Sequence, residues 1–477
     1  MNNLKDIVIV GGGSAGWLTS AYLSNRFPYF NITIIDKEYS TRVGVGEATL
    51  LNFKDYMNDC GFDFNDWFKN IDATFKSGIL FTDWLKKGED VWHPFHMNPY
   101  VDNGYFKKDY WSDNQDLDFK KYGLSVYETS VIENKVYNEL NYGFHIDCLK
   151  LVDYIKDSIT TRQNVNFVIG EVKNLTENEL ILKDNNIIQG DLFIDCTGFS
   201  HLLNENPQKN DLRDRLICDT AIAGHIKYEN KEKELTPYVK CEAVDIGWVW
   251  NIPVKNRIGS GIVFNKEITD IESAKKYFIN HWNNRINEKD LKVLNWSPYY
   301  NNNMWHDNVV SIGLSAGFIE PLESTGLALI MQGAISLSSL IQKKYYDKND
   351  IDLYNIELKS FFENAIDFVN MHYTNTERQE PFWLQARSNL KISNTQKMYE
   401  RMLLNDEPNL PFQDSNTGFF GGNNWSTWLI QLKKEVKPRN INIEKEDVLK
   451  HFVDREKNNA DLYSVPHTKL ISYMEKR

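Results

Sequence analysis

Four β-branched residues, Ile7 to Val10, run without interruption into Gly11; apolar residues recur at helical spacing from Trp17 to Arg26, and a second β-rich run, Ile32 to Ile35, ends at Asp36. Short continuous apolar runs predict buried strands and a period near 3.6 predicts a helix, so the chain opens on strand, helix, strand. Val165 to Val172 predicts a further strand. Leu180 to Leu182 and Ile187 to Ile188 flank the turn Asp184-Asn185-Asn186, and Leu192 to Cys196 reads as a buried strand, so this stretch is a meander returning to the main sheet. Ala221 to Phe264 has strand character with a turn at Pro253 to Arg257, Val309 to Ile312 is a short strand running into Gly313, and Gly326 to Gln342 is apolar at helical spacing. Beyond Ile351 the pattern is mostly helical with Tyr, Trp and Phe interleaved, and the tail after Val436 is rich in Lys, Glu and Asn. Strands alternating with helices predict an α/β fold, and without repeats or a long linker its parts are interleaved.

The 477 residues suffice for a large core, and their hydrophobic and charged shares, 42% and 25%, are those of a globular chain. The aromatic share of 13%, with 13 Trp, exceeds what core filling asks for, so rings are expected to line a pocket for a small neutral or aromatic substrate. A net charge of −12 with no cationic stripe disfavours nucleic acid. Cys60, Cys148, Cys196, Cys218 and Cys241 are odd in number and widely separated, as in a reduced cytoplasmic protein. Neither a secretory leader nor the roughly 18 uninterrupted apolar residues of a membrane helix is present, so a cytoplasmic location and no membrane partner are expected. A homo-oligomer stays open.

Gly11-Gly12-Gly13-Ser14-Ala15-Gly16 satisfies G-x-G-x-x-G between strand and helix. There Gly11 permits the tight turn, Gly13 lets a pyrophosphate approach the backbone, and Gly16 lets helix and strand pack closely, while the amides of Ser14 and Ala15 head the helix. Asp36, 20 residues past Gly16, stands where a carboxylate accepts both ribose hydroxyls. Asp195-Cys196-Thr197-Gly198 ends a buried strand, as a loop near the adenine side of FAD does in two-dinucleotide-domain flavoproteins. Gly313-Leu314-Ser315-Ala316-Gly317 matches the G-x-S-x-G elbow of serine hydrolases, with His372 as a conceivable base, but after a dinucleotide fingerprint a late strand and turn serves better to hold flavin. His93 and His96 flank Pro94-Phe95, which spoils paired-ligand geometry on a helix; they read as loop histidines, and no metal site is expected.

Three further segments resemble the flavin-dependent halogenases of the tryptophan halogenase family, a likeness running from Ile7 to about Trp428. Gly247-Trp248-Val249-Trp250-Asn251-Ile252-Pro253 carries W-x-W-x-I-P, whose two rings share one face of a strand. Gly317-Phe318-Ile319-Glu320-Pro321-Leu322-Glu323-Ser324-Thr325-Gly326 matches G-F-x-E-P-L-E-S-T-G, and Ala73-Thr74-Phe75-Lys76-Ser77-Gly78 places a lysine in an apolar run. Read alone, these are an aromatic core ladder, a pair of helix caps and a snorkelling edge lysine. Gly16-Trp17, Val43 to Thr49, Phe144 to Asp147, and His372-Tyr373 with Arg378 and Trp383 agree with the family. Leu50-Leu51 departs from it where many members have proline, and the paired C-terminal tyrosines of tryptophan-specific members are absent, which puts strap geometry and tryptophan as substrate in doubt.

The resemblance implies an FAD-binding Rossmann-like core of the two-dinucleotide-binding-domain type, with an interleaved mixed sheet and a mainly helical C-terminal substrate region. The expected boundaries are residues 1–345, with substrate-contacting insertions at about 75–145 and 220–265, and residues 346–477. It places Glu47, Ala48, Val172, Thr197, Gly198, Leu314 and Leu327 around FAD beside the glycine loop and Asp36. It implies that FADH2 from a separate flavin reductase, O2 and a halide ion yield hypohalous acid. Halide is held by the amides of Thr325 and Gly326, and the oxidant passes the Trp248/Trp250 wall to Lys76. Glu323 assists there, and His93 and Phe95 pack an electron-rich arene such as an indole or phenol. Two alternatives stay open: a hydroxylating flavin monooxygenase, and a flavin-binding module without catalysis.

Overall fold

The computed structural model describes residues 4–37, 44, 46–95, 134–137, 142–204, 206–404, 418–432, 451, 454–455 and 458–476. Val43, Val45, His96 and much of the tail after Val436 lie outside the described residues. Asp6–Val10 is buried on both faces because it pairs in parallel with Leu192–Asp195 on one side and Asn31–Asp36 on the other, which is why its sequence is an unbroken β-branched run. Val165–Ile169 and Val309–Ser311 extend this sheet, and Trp305–His306 closes it as an antiparallel edge. The strand expected through Val172 stops at Ile169: the Gly170 amide donates to the Asp36 carbonyl, and the chain re-enters a separate three-stranded meander at Val172–Leu175, with Glu179–Leu182 and Ile187–Gln189.

A seven-stranded mixed sheet carries the interleaving. It runs Lys292–Asn295, Thr220–Ile226, Arg257–Phe264, Gly247–Val254, Val239–Val244, Gly78–Thr82, Asp90–Pro94, so segments more than a hundred residues apart share one sheet. Just upstream, Thr74–Lys76 belongs instead to a small sheet with Gly143–Ile146 and Glu47–Ala48. The switch between sheets occurs at Gly78, where a Cβ would lie 2.6 Å from the His93 carbonyl oxygen. Lys76 is thereby at a seam, between two sheets, and not on an exposed edge.

Thr325–Ile341 is apolar enough and, counted from Leu322, long enough to cross a bilayer, yet it is the central core helix, packed between Ser14–Arg26 and the 27-residue helix Lys348–Thr374. The latter starts with a reciprocal capping box, Asp347 with Asp350. Helices Pro381–Asn389, Asn394–Leu404, Gly422–Gln431 and His467–Met474 follow, as the pattern predicts, but the strand Ser464–Pro466, paired with Lys135–Tyr137, was not anticipated. Three residues in a polar tail give periodicity nothing to register.

Asp195 ties three loops at the end of the parallel sheet. Its Oδ1 accepts from the Thr197 amide (2.9 Å), the Thr197 hydroxyl (2.6 Å) and the Ser315 hydroxyl (3.0 Å), and its Oδ2 from the amides of Leu203 and Asn204 (3.0 and 3.2 Å). Asp195→Ala strands these donors and is expected to lower stability by at least about 3 kcal/mol, against about 1 kcal/mol for Ser315→Ala. Equal urea midpoints for the two variants would refute this accounting.

Candidate active site

The glycine loop is shaped by exclusion. A Cβ on Gly11 (φ +114°) would lie 2.3 Å from the Cys196 carbonyl oxygen, one on Gly12 2.0 Å from Asp36 Oδ2, and one on Gly16 1.9 Å from the Gly11 carbonyl oxygen. Nothing lies within 4 Å of a Cβ on Gly13, and this residue heads the helix Ser14–Arg26 without a side-chain cap. The space beside Gly13 is therefore open at an uncapped helix start, as an approaching pyrophosphate requires. Thr197, Gly198 and Leu314 meet at the same end of the sheet: the Ser315 hydroxyl also reaches the Gly198 carbonyl (3.2 Å), and Leu314 is 39% exposed. Fully buried and donating to Asp195, Ser315 is no hydrolase nucleophile.

Opposite this loop, Glu323 (φ 64°, ψ 8°) and Ser324 (φ 60°, ψ 34°) are consecutive left-handed residues. Non-glycine residues adopt that region at a cost of about 1–3 kcal/mol each, and they do so chiefly at functional turns. The turn aims Glu323 inward, where it is 1% exposed, with Oε2 2.8 Å from His93 Nδ1 and Oε1 2.7 Å from His372 Nε2. His93, expected in a loop, lies in the strand Asp90–Pro94, because Gly78–Thr82 captures that segment as its neighbour. His372 comes from the long helix.

Hydrogen-bond partners settle the proton inventory. Asn424 Oδ1 accepts from the Gly421 amide, so its NH2 donates to His93 Nε2 (3.0 Å), leaving His93 Nδ1–H to donate to Glu323. His372 Nδ1–H donates to the Phe368 carbonyl (2.7 Å). A carboxylate cannot face a bare imidazole nitrogen at 2.7 Å, so Glu323 and His372 hold one proton between them and titrate as a unit. Burial pushes the Glu323 carboxyl up, but the two imidazoles more than offset it and bring it down to about 2. Burial pushes His372 down, against the pull of Glu323.

Lys76, which read alone would be a snorkelling edge residue, is fully buried. Its Nζ donates to the Ser324 hydroxyl (2.9 Å) and the Thr49 carbonyl (3.2 Å) and lies 4.6 Å from the centre of the Phe95 ring. Neither hydrogen-bond acceptor is charged. Burial lowers its pKa to about 7, with Glu323 pulling the other way. The structure thus brings Lys76, Glu323, His93, Phe95 and Thr325 to one place, and adds Ser324 and His372 as direct partners. Ser324 stands at a helix start, but its hydroxyl is turned to Lys76 and makes no cap. The sequence marked His372 as a family match and as a conceivable hydrolase base, without assigning it to this site.

Trp248 and Trp250 are buried, on one face of Gly247–Val254, their rings 6.1 Å apart; Trp250 lies over Gly261, where a Cβ would meet its ring at 2.2 Å. Trp84 packs on Trp248 (6.0 Å) and donates to the His372 carbonyl (2.9 Å), joining the wall to the Glu323 site. A further acid, Glu320, is pushed up to about 8 by burial and accepts from the Tyr373 hydroxyl. Among the described residues no cluster has metal-ligand geometry.

Because Lys76 releases its proton near pH 7 when folded and at 10.5 otherwise, the unfolded chain binds more protons between those values and stability rises with pH across them. Lys76→Met is therefore expected to stabilise the protein at pH 6, and that advantage should shrink by about 2–3 kcal/mol by pH 9 in urea unfolding. A difference independent of pH would show that the amine is not desolvated.

The family model for tryptophan halogenase matches residues 6–442. The chain is 29% identical over 458 residues to tryptophan 6-halogenase ThaL of Streptomyces albogriseolus, spanning 87% of this chain and 85% of that protein. It is 26% identical over 424 residues to tryptophan 7-halogenase RebH of Lentzea aerocolonigenes, spanning 82% and 80%. Its fold superposes on that of a flavin-dependent halogenase from Xanthomonas campestris with a TM-score of 0.90 at 24% identity, covering 99% of both chains. With that match across nearly its whole length, the chain belongs to the tryptophan halogenase family and is a flavin-dependent halogenase, a halogenating oxidoreductase.

Proposed function

We propose that the protein uses FADH2, O2 and halide to halogenate an electron-rich arene, an indole or a phenol, through Lys76. The observation that carries this reading is the turn Glu323-Ser324, which joins the buried amine to an open helix start. FAD would be held by Gly11, Gly13, Ser14, Ala15, Gly16, Asp36, Glu47, Ala48, Val172, Thr197, Gly198, Leu314 and Leu327; the open space before Gly13 fits its pyrophosphate. When bound and reduced by a separate flavin reductase, it supplies with O2 the oxidation of halide to hypohalous acid.

The halide would sit on the amides of Thr325 and Gly326. Left-handed Ser324 followed by right-handed Thr325 (φ −80°, ψ −15°) turns successive N–H groups toward one point, the geometry of an anion nest, and the helix dipole adds to it. The side of Gly326 is open, with nothing within 4 Å of a Cβ.

A neutral Lys76 amine attacks the halogen of hypohalous acid; the O–halogen bond breaks, and the departing hydroxide takes an amine proton as water, leaving a haloamine. Alternatively, the ammonium donates a hydrogen bond that polarises the acid. The arene then attacks the halogen: in the first case the N–halogen bond breaks and the nitrogen takes up one proton, matched by the ring proton released, which regenerates the amine; in the second the O–halogen bond breaks and the departing hydroxide takes the ammonium proton as water. The ring proton passes to the Glu323–His372 pair, whose shared proton leaves it one vacancy. Trp248 and Trp250 keep the arene from the flavin, and His93 and Phe95 pack it.

Lys76→Ala is expected to lower arene halogenation by at least about 10²-fold while hypohalous acid still forms, and Glu323→Gln to lower kcat by about 10²–10⁴-fold. Mass spectrometry with a flavin reductase, O2, competing halides and a panel of indoles and phenols measures both; unimpaired product from Lys76→Ala, or hydroxylated product, would overturn the assignment. Gly326→Ala is expected to raise the halide KM by about 10-fold while keeping or raising stability, since alanine favours the helix by up to about 1 kcal/mol. An unchanged halide KM would remove the halide from this helix start.

A further inference from the structure

The C-terminal segment Ser464–Met474 lies beyond the residues matched by the family model, yet it reaches the back of the Lys76 strand. Val239 pairs in parallel with Ile79, and at the same offset the Ser77 amide donates to the Pro237 carbonyl (2.7 Å). The next rung of that ladder would join Phe75 to Leu235. Instead the His467 imidazole stands between them: Nε2 accepts from the Phe75 amide (3.1 Å), and Nδ1–H donates to the Leu235 carbonyl (3.0 Å). The ring is 1% exposed, with both nitrogens satisfied in one neutral tautomer. It is fixed in turn by its own amide, which donates to the Asn134 carbonyl (2.9 Å), and by Thr468, which donates to Glu232 (2.7 Å).

This rung is one residue from Lys76, at the fork where the chain leaves the small sheet for the seven-stranded one. An imidazole is wider than a direct N–H···O=C bond, so it wedges Phe75 away from Leu235 while still satisfying both groups. We infer that His467 is a positioning residue of the halogenation site: inserted as a rung in the sheet, it sets the place of the Thr74–Lys76 strand and so the reach of the Lys76 amine. The inference rests on Lys76 delivering the halogen. Its consequence is kinetic partitioning: a displaced Lys76 captures less hypohalous acid, and more escapes.

The test compares wild type, His467→Ala, His467→Gln and Lys76→Ala with reductase, FAD, O2, bromide, an indole that wild type brominates, and a 1,3-diketone that scavenges free hypohalous acid. A glutamine amide can accept from Phe75 and donate to Leu235 as the imidazole does. His467→Ala is expected to lower the ratio of brominated indole to brominated scavenger by about 10-fold or more while total oxidised bromide stays within about twofold, and His467→Gln to restore the ratio to within about threefold. Hydrogen exchange at the Phe75 amide should accelerate in His467→Ala and recover in His467→Gln. If alanine unfolds the chain, His467→Asn, too short for both partners, takes its place in the comparison. An unchanged ratio on loss of the imidazole, or an equal fall in His467→Gln with a protected Phe75 amide, overturns the inference. A wild-type ratio in Lys76→Ala instead overturns the reading of Lys76 itself.

Discussion

Glu323 between two imidazoles is the interaction on which the rest of the site depends. Its left-handed backbone, followed by that of Ser324, is a strained arrangement that persists only where surroundings over-determine it. Two hydrogen bonds to a buried carboxylate and a third from Lys76 to Ser324 do so. Without them the chain would enter the helix Thr325–Ile341 through an ordinary cap, with the Ser324 hydroxyl covering its amides. The strain, the open helix start and the fixed lysine are one feature.

Electrostatics divides the two reactive groups by their partners. Glu323 and Lys76 are both desolvated, but the carboxylate is surrounded by donors and stays low, whereas the amine meets only a carbonyl, a hydroxyl and a ring and falls to about 7. Had Glu323 turned its oxygens onto Lys76, the ion pair would hold the amine protonated and unreactive. His93 and His372 prevent this by occupying both oxygens.

The aromatic excess is spent on holding these groups in place. Trp84 links Trp248 to the His372 carbonyl, Trp428 packs on the His372 ring at 4.0 Å, and Phe368 stacks on Phe420 at 4.2 Å beside His93. Rigid rings with few rotamers keep imidazole positions within the tolerance that a shared proton at 2.7 Å requires.

Features governed by local pattern were legible along the chain: the parallel core from β-branched runs that need two covered faces, the glycine loop whose Cβ atoms would clash, the Trp pair on one strand face, and the motif turn before the apolar helix. The sequence missed the break at Gly170 and the strand at Ser464–Pro466, because each depends on a neighbour far along the chain, and the setting of His93 in a strand, because the proline after it masks the pairing with Gly78–Thr82. The pairings came from the folded chain: His372 lies 49 residues from Glu323, Ser324 lies 248 from Lys76, and His467 lies 392 from Phe75. No periodicity spans such distances. The fold brings residues that far apart into one hydrogen bond, and the proton inventory of the site combines those bonds with the local ones that fix each tautomer, His372 to Phe368 and Asn424 to Gly421.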